Sequence, residues 1–104
     1  MRKQALIVGI ALLVSAGLIG SSTALAYKGE ELAKQAKISL EQARKIALKA
    51  FPGKIVDEEL EKETGGSGLR YSFDIRQDKL VHEVGVDAAD GKVLENSDDS
   101  NDKD

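Results

Sequence analysis

The sequence predicts an α+β fold: one N-terminal helix packed on a small antiparallel β-sheet of three to four strands. Apolar residues from Leu40 to Phe51 recur at three- and four-residue steps, the spacing of one helical stripe. Residues 69–77 alternate strictly between apolar and polar, the pattern of a half-buried antiparallel strand. Turn residues, GGSG at 65–68 and Asp90-Gly91, punctuate the later apolar runs.

The helix has a marked start and stop. Ser39 is a natural N-cap, Gln42 completes a capping box, and Ile38 can staple onto the first turn. Leu40, Ala43, Ile46, Ala47, Ala50 and Phe51 form the apolar stripe, while Gln42, Arg44, Lys45 and Lys49 lie off it. Pro52-Gly53 ends the helix, since proline cannot continue it and glycine supplies the cap conformation.

After Gly53 the period changes to two. Residues 54–63 place Val56 and Leu60 on one parity, with Glu58 in conflict on the same side. A place at the sheet margin or a bulge would resolve that conflict. In 69–77, Leu69, Tyr71, Phe73 and Ile75 face one way and Arg70, Ser72, Asp74 and Arg76 the other. A link at 77–79 leads to 80–88, where Leu80, His82, Val84 and Val86 share a face. Gly85 lies on the opposite face and marks either a bulge or a close backbone approach. Asp90-Gly91 then turns the chain into the short apolar run KVLE, 92–95.

The termini read differently. Residues 1–26 begin with Arg2 and Lys3, continue through an apolar stretch over 5–20, and end in Ala24-Leu25-Ala26. Those are the parts of a secretory signal, with cleavage expected between Ala26 and Tyr27. An uncleaved anchor is the alternative, because 5–26 carries no charge and is long enough to cross a bilayer. Residues 27–37 are expected to be a polar linker, with a turn of helix as an option because Glu30 and Lys34 sit four apart in the favourable order. Residues 96–104 contain no apolar side chain and are expected to be a disordered acidic tail. Between them lies one compact domain, 38–95.

Composition excludes several functions. Without Arg2 and Lys3, 13 basic side chains face 18 acidic ones, a net of −5. Nucleic acid and anionic lipid reward the opposite balance, so neither is expected as a partner beyond any membrane contact of the N-terminal segment itself. There is no Cys, hence no disulfide and no thiolate ligand. His82 is the only histidine and lacks partners for a zinc site or a nucleophile–base pair. It reads as a strand residue with one wet edge.

The run VGVDAADGKVLEN, 84–96, superficially resembles the start of a calcium loop. Counting from Asp87, however, the third and fifth positions are Ala89 and Gly91, and the twelfth is Asp98. Those positions need oxygen ligands and a bidentate Glu, so the stretch is read as a turn. The acid pairs Asp57/Glu59 and Glu61/Glu63 stand among lysines, as on a solvated strand face. GGSG lacks the lysine of a phosphate loop. No enzyme, cofactor or metal is expected.

Together, ISLEQARKIALKAFPGK, the strand bearing Tyr71, and EVGVDAADGKVL resemble the PepSY domain, named for propeptides of thermolysin-like metallopeptidases and a spore-germination protein. The likeness covers about 38–95. Its signature lies in Tyr71, Val86, Asp87, Ala88, Gly91 and Val93, followed by Leu94. The family often has Thr where this chain has Asp90, and more often an apolar residue at Glu58. The resemblance implies a noncatalytic binding module that regulates or inhibits extracytoplasmic peptidases, with structural signature residues. The partner it implies is a secreted peptidase or peptide, met in the periplasm or outside the cell. A cell-envelope sensor or scaffold, anchored by the N-terminal segment, is the alternative.

Overall fold

The computed structural model describes residues 26–100. Most of the expected signal and the last four residues of the acidic tail lie outside them. A 3-10 helix over Glu30–Gln35 leads to helix α1, Leu40–Ala50, and four strands follow: β1, Lys54–Lys62; β2, Leu69–Gln77; β3, Leu80–Asp87; and β4, Val93–Asp98. The strands pair in chain order, β1-β2-β3-β4, and every pairing is antiparallel. One helix on one face of a four-stranded meander is the α+β class expected.

The capping box at α1 is complete. The Ser39 N–H donates to Gln42 Oε1 at 2.9 Å, and the Gln42 N–H donates to Ser39 Oγ at 3.0 Å. Ala43 and Ala47 are fully buried, and their small side chains let the helix lie close to the sheet. Beneath them, the register stacks Leu60, Tyr71 and Val86 in one row and Phe73 and Val84 in the next. These five side chains with Ile75, Leu69, Phe51 and Ala88 form the core. The β2–β3 connection is the two residues Asp78-Lys79, with Asp78 at φ 55°. Asp tolerates that left-handed conformation better than most residues.

Three expectations about placement need correction. Val56 does not share the core face with Leu60. The β1–β2 register shifts between Ile55 and Asp57, so Ile55 pairs with Ile75 while Val56 is 43 % exposed. The bulge adds one residue and inverts the parity before it. The strand also runs on beyond Glu95: Asn96 pairs with Val84 and Asp98 with His82. The Ser100 hydroxyl then accepts the Val81 N–H at 2.7 Å. Backbone pairing to β3 orders a segment that has no apolar side chain of its own. Finally, 27–37 is more than a polar linker: the helical option is met by the 3-10 helix Glu30–Gln35, and Tyr27, Leu32 and Ala36 pack against the core.

Candidate functional site

The signature residues brace the fold. The Asp87 carboxylate is buried and accepts the Ser67 N–H at 2.7 Å, the Ser67 hydroxyl at 2.6 Å and the Ala89 N–H at 2.8 Å. Burial by itself would raise this carboxyl, but the hydrogen bonds from Ser67, Ala89 and Asp90 outweigh it and hold Asp87 below the ordinary range. One side chain thereby ties the GGSG turn to the end of β3. Ala88, fully buried, accepts the Lys37 and Ile38 N–H groups on its carbonyl and donates to the Leu69 carbonyl. The Tyr71 hydroxyl donates to the Ile38 carbonyl at 2.9 Å, fixing the entry to α1. Val86 is fully buried and Val93 is 39 % exposed. Gly91 adopts φ 79°, and a Cβ there would stand 2.9 Å from Ile46 Cδ1. The structure thus draws Tyr71, Val86, Asp87, Ala88 and Gly91 around the junction of helix and sheet, with Val93 at its rim.

His82 stacks on Phe51, with ring centroids 3.8 Å apart and planes 6° apart. Its Nδ1 lies 2.7 Å from Asn96 Oδ1. Neither partner is a nucleophile or a metal ligand of the usual kind.

Glu58 keeps its place on the helix side of β1. Arg44 grips it with two bonds, Nε to Oε1 at 2.9 Å and Nη2 to Oε2 at 2.7 Å. The pair bridges α1 to β1 at the sheet margin, and the hydrogen bond to Glu58 holds the Arg44 guanidinium above its ordinary value.

Among the described residues, no helix covers the other sheet face, which carries mostly acids. Asp57, Asp74 and Glu83 align across β1, β2 and β3. Glu59, Ser72, Gly85 and Glu95 form the adjacent row. Carboxylates directly opposite one another repel. Partial burial, with the charges of Glu95, Asp74, Asp99 and Glu61, pushes the Glu83 carboxyl up to about 7.

Oxygens of Asp74, Glu83 and Asp99 come within 4.8 Å of one another, a set that suits a hard cation in ligand type. Sequence reasoning missed this grouping. A two-residue loop at Asp78-Lys79 sets Asp74 opposite Glu83, so the loop length was the available signal. On the same face Gly85 makes room for an arginine: a Cβ there would lie 2.8 Å from Arg70 Cδ. Arg70 reaches over it to the Thr64 carbonyl at 3.1 Å and to Glu95 at 3.5 Å. The β3–β4 register also shifts at Gly85, the bulge expected of this glycine, while the group that comes close to it is the Arg70 side chain and not a backbone.

The β1 edge is partly occupied. Lys28 bridges Glu59 in parallel fashion, and its carbonyl accepts the Leu60 N–H at 2.9 Å. A groove of about 510 Å³ lies between residues 26–28 and 55–59. Ala26 and Tyr27, the residues flanking the expected cleavage, are among those that line it. Among the described residues, no helix is long and apolar enough to cross a membrane.

A helix laid on one face of a four-stranded meander, with an open polar face and one strapped edge, defines a small α+β module of the propeptide-like kind. The family described as "Peptidase propeptide and YPEB domain", PepSY, matches residues 37–96. The chain belongs to that family. No curated protein and no solved structure matches it.

Proposed function

We propose that the protein is an exported, noncatalytic PepSY binding module that restrains or regulates peptidase activity outside the cytoplasm. The observation that carries this reading is the family match over 37–96, which spans α1 and the sheet as far as the middle of β4. The Ala24-Leu25-Ala26 motif after an apolar stretch supports export. The signature residues are committed to internal bonds, which leaves the open sheet face and the strand edges for contact with a protein or peptide.

The test is capture of partners by residues 27–104 from the extracytoplasmic fraction, followed by peptidase assays with and without the protein. Recovery of a peptidase whose rate falls on addition is the expected result. If no peptidase is recovered and the rates stay unchanged, the reading fails.

The uncharged length of 5–26 favours a second reading, an outward-facing envelope sensor or scaffold anchored by that segment. N-terminal sequencing of the native protein separates the two: a start at Tyr27 excludes the anchored form.

A further inference from the structure

We propose that the open sheet face docks a basic, extended segment of a partner protein that carries lysine or arginine at alternate positions. This rests on the reading of the chain as a binding module and names the chemistry of what it binds. The bulge at Val56 puts Asp57, Glu59 and Glu61 on the open side of β1, while Glu58 faces the helix. Neighbours in that ladder are two residues apart, about 6.8 Å along the strand. A second extended chain has the same repeat, so every other side chain on it meets a carboxylate. Strand pairing carries the acids across the sheet as well, from Asp57 to Asp74 and Glu83.

The ion pairs that Lys28 and Arg70 make on this face are long, 3.8 Å to Glu59 and 3.5 Å to Glu95. Partial burial, and then the charges of Glu95 and Asp99 on β4, Asp74 on β2 and Glu61 on β1, hold the Glu83 carboxyl at about 7. The field there is negative, and a cation relieves it. Arg70 shows how this face receives one. Its side chain lies over Gly85, where a Cβ would stand 2.8 Å from its Cδ, and its Nε is buried with no hydrogen-bond partner. An unpaired buried donor is costly, and the surrounding carboxylates offset that cost by favouring positive charge.

Length separates a peptide from a metal ion as the occupant. The oxygens of Asp74, Glu83 and Asp99 fit within 4.8 Å, the reach of one ion, but the ladder on β1 continues to Glu61. At the other end Lys54 stands opposite Arg76, and these two cations bound the acid field.

The experiment titrates the full 104-residue chain, in nonionic micelles, with a labelled peptide alternating lysine and threonine over nine positions, the length of β1. The other titrants are a peptide of the same composition with its lysines in one block, and calcium alone. Two double variants each remove two charges: Asp57→Asn with Glu83→Gln on the face, and Glu31→Gln with Glu41→Gln on the two helices. The alternating peptide should bind the face variant at least about fivefold more weakly than the parent, and the helix variant within about twofold. The block peptide should bind the parent about threefold more weakly than the alternating one. Binding should tighten about threefold from pH 6 to pH 8, because the docked cation favours ionised Glu83, and Glu83→Gln should abolish that rise.

If the face variant fails to fold, as read by its melt, Glu83→Gln alone with the pH comparison decides the matter. Equal weakening by both variants, or equal binding of the two lysine peptides, reduces the effect to overall charge and overturns the docking. Calcium binding without binding of either peptide overturns it too. A captured peptidase whose affinity is the same for the parent and the face variant overturns this surface and leaves the binding-module reading standing. Loss of peptide binding in the face variant, with no peptidase captured, upholds the surface and removes the peptidase as its partner.

Discussion

Asp87 and Glu83 stand four residues apart on one face of β3 and respond to pH in opposite ways. Asp87 is buried but over-satisfied by donors, so its ionised form belongs to the folded state. Its contribution is present above the unfolded carboxyl value of about 3.9 and is lost as pH falls below that. Asp87→Asn should cost about 2 kcal/mol at pH 7 in urea unfolding. The variant should also show a flatter loss of stability below pH 4 than the parent. Glu83 is the reverse case. Its carboxyl, held at about 7, binds more protons in the folded state than in the unfolded one. Stability therefore falls as pH rises from the ordinary carboxyl range through 7. Glu83→Gln should stabilise the protein by about 1 kcal/mol at pH 8, after allowance for solvent screening, and by nothing at pH 4. Paired melts at the two pH values check this.

Among the elements, α1 and β1 show how much local pattern can carry. The start, stripe and stop of the helix were legible because their signals are local: a cap, a box, a stripe and a proline all lie within residues 38–53. The cap conformation expected of Gly53 does not occur: the C-cap is Phe51 in extended conformation, and Gly53 instead makes room for the Arg76 carbonyl of β2. β1 was not. Its parity depends on a bulge at Val56 that exists only in the pairing with β2, and Glu58 faces the helix because Arg44 crosses to meet it. An alternation count along one strand contains neither fact. Ile55→Ala should therefore cost about 1 to 2 kcal/mol, whereas Val56→Ala should stay within about 0.5 kcal/mol of the parent in denaturant unfolding. A strand with no bulge would give the reverse order.

Across the whole molecule, both ends of the domain are tied down by backbone pairing, helped at the N-terminal end by the packing of Tyr27, Leu32 and Ala36. Lys28 docks on β1, and residues 96–100 pair with β3. A chain ending at Glu95 loses the Asn96 contact to His82 and all three bonds between Val81 and residues 99 and 100. Its melting temperature should fall by roughly 10 °C or more, and a melt of the truncated chain against the parent reads this directly. By composition, residues 96–100 belong to a solvated tail. They become structure because β3 presents an edge that needs covering.

By itself the sequence determined the fold class, the capped helix, the strictly alternating strand β2 and the turns, which rest on residues close together in the chain, and the family, which rests on motifs spread over 38–95. Tertiary structure alone decided the register of β1, the meeting of Asp74, Glu83 and Asp99, the role of Asp87 as a brace and the docking of Tyr27–Gly29 on the sheet edge. Each of those depends on which strand lies beside which, and at what offset. Pairing offset comes from bulges and loop lengths acting across the sheet, and local periodicity does not encode it.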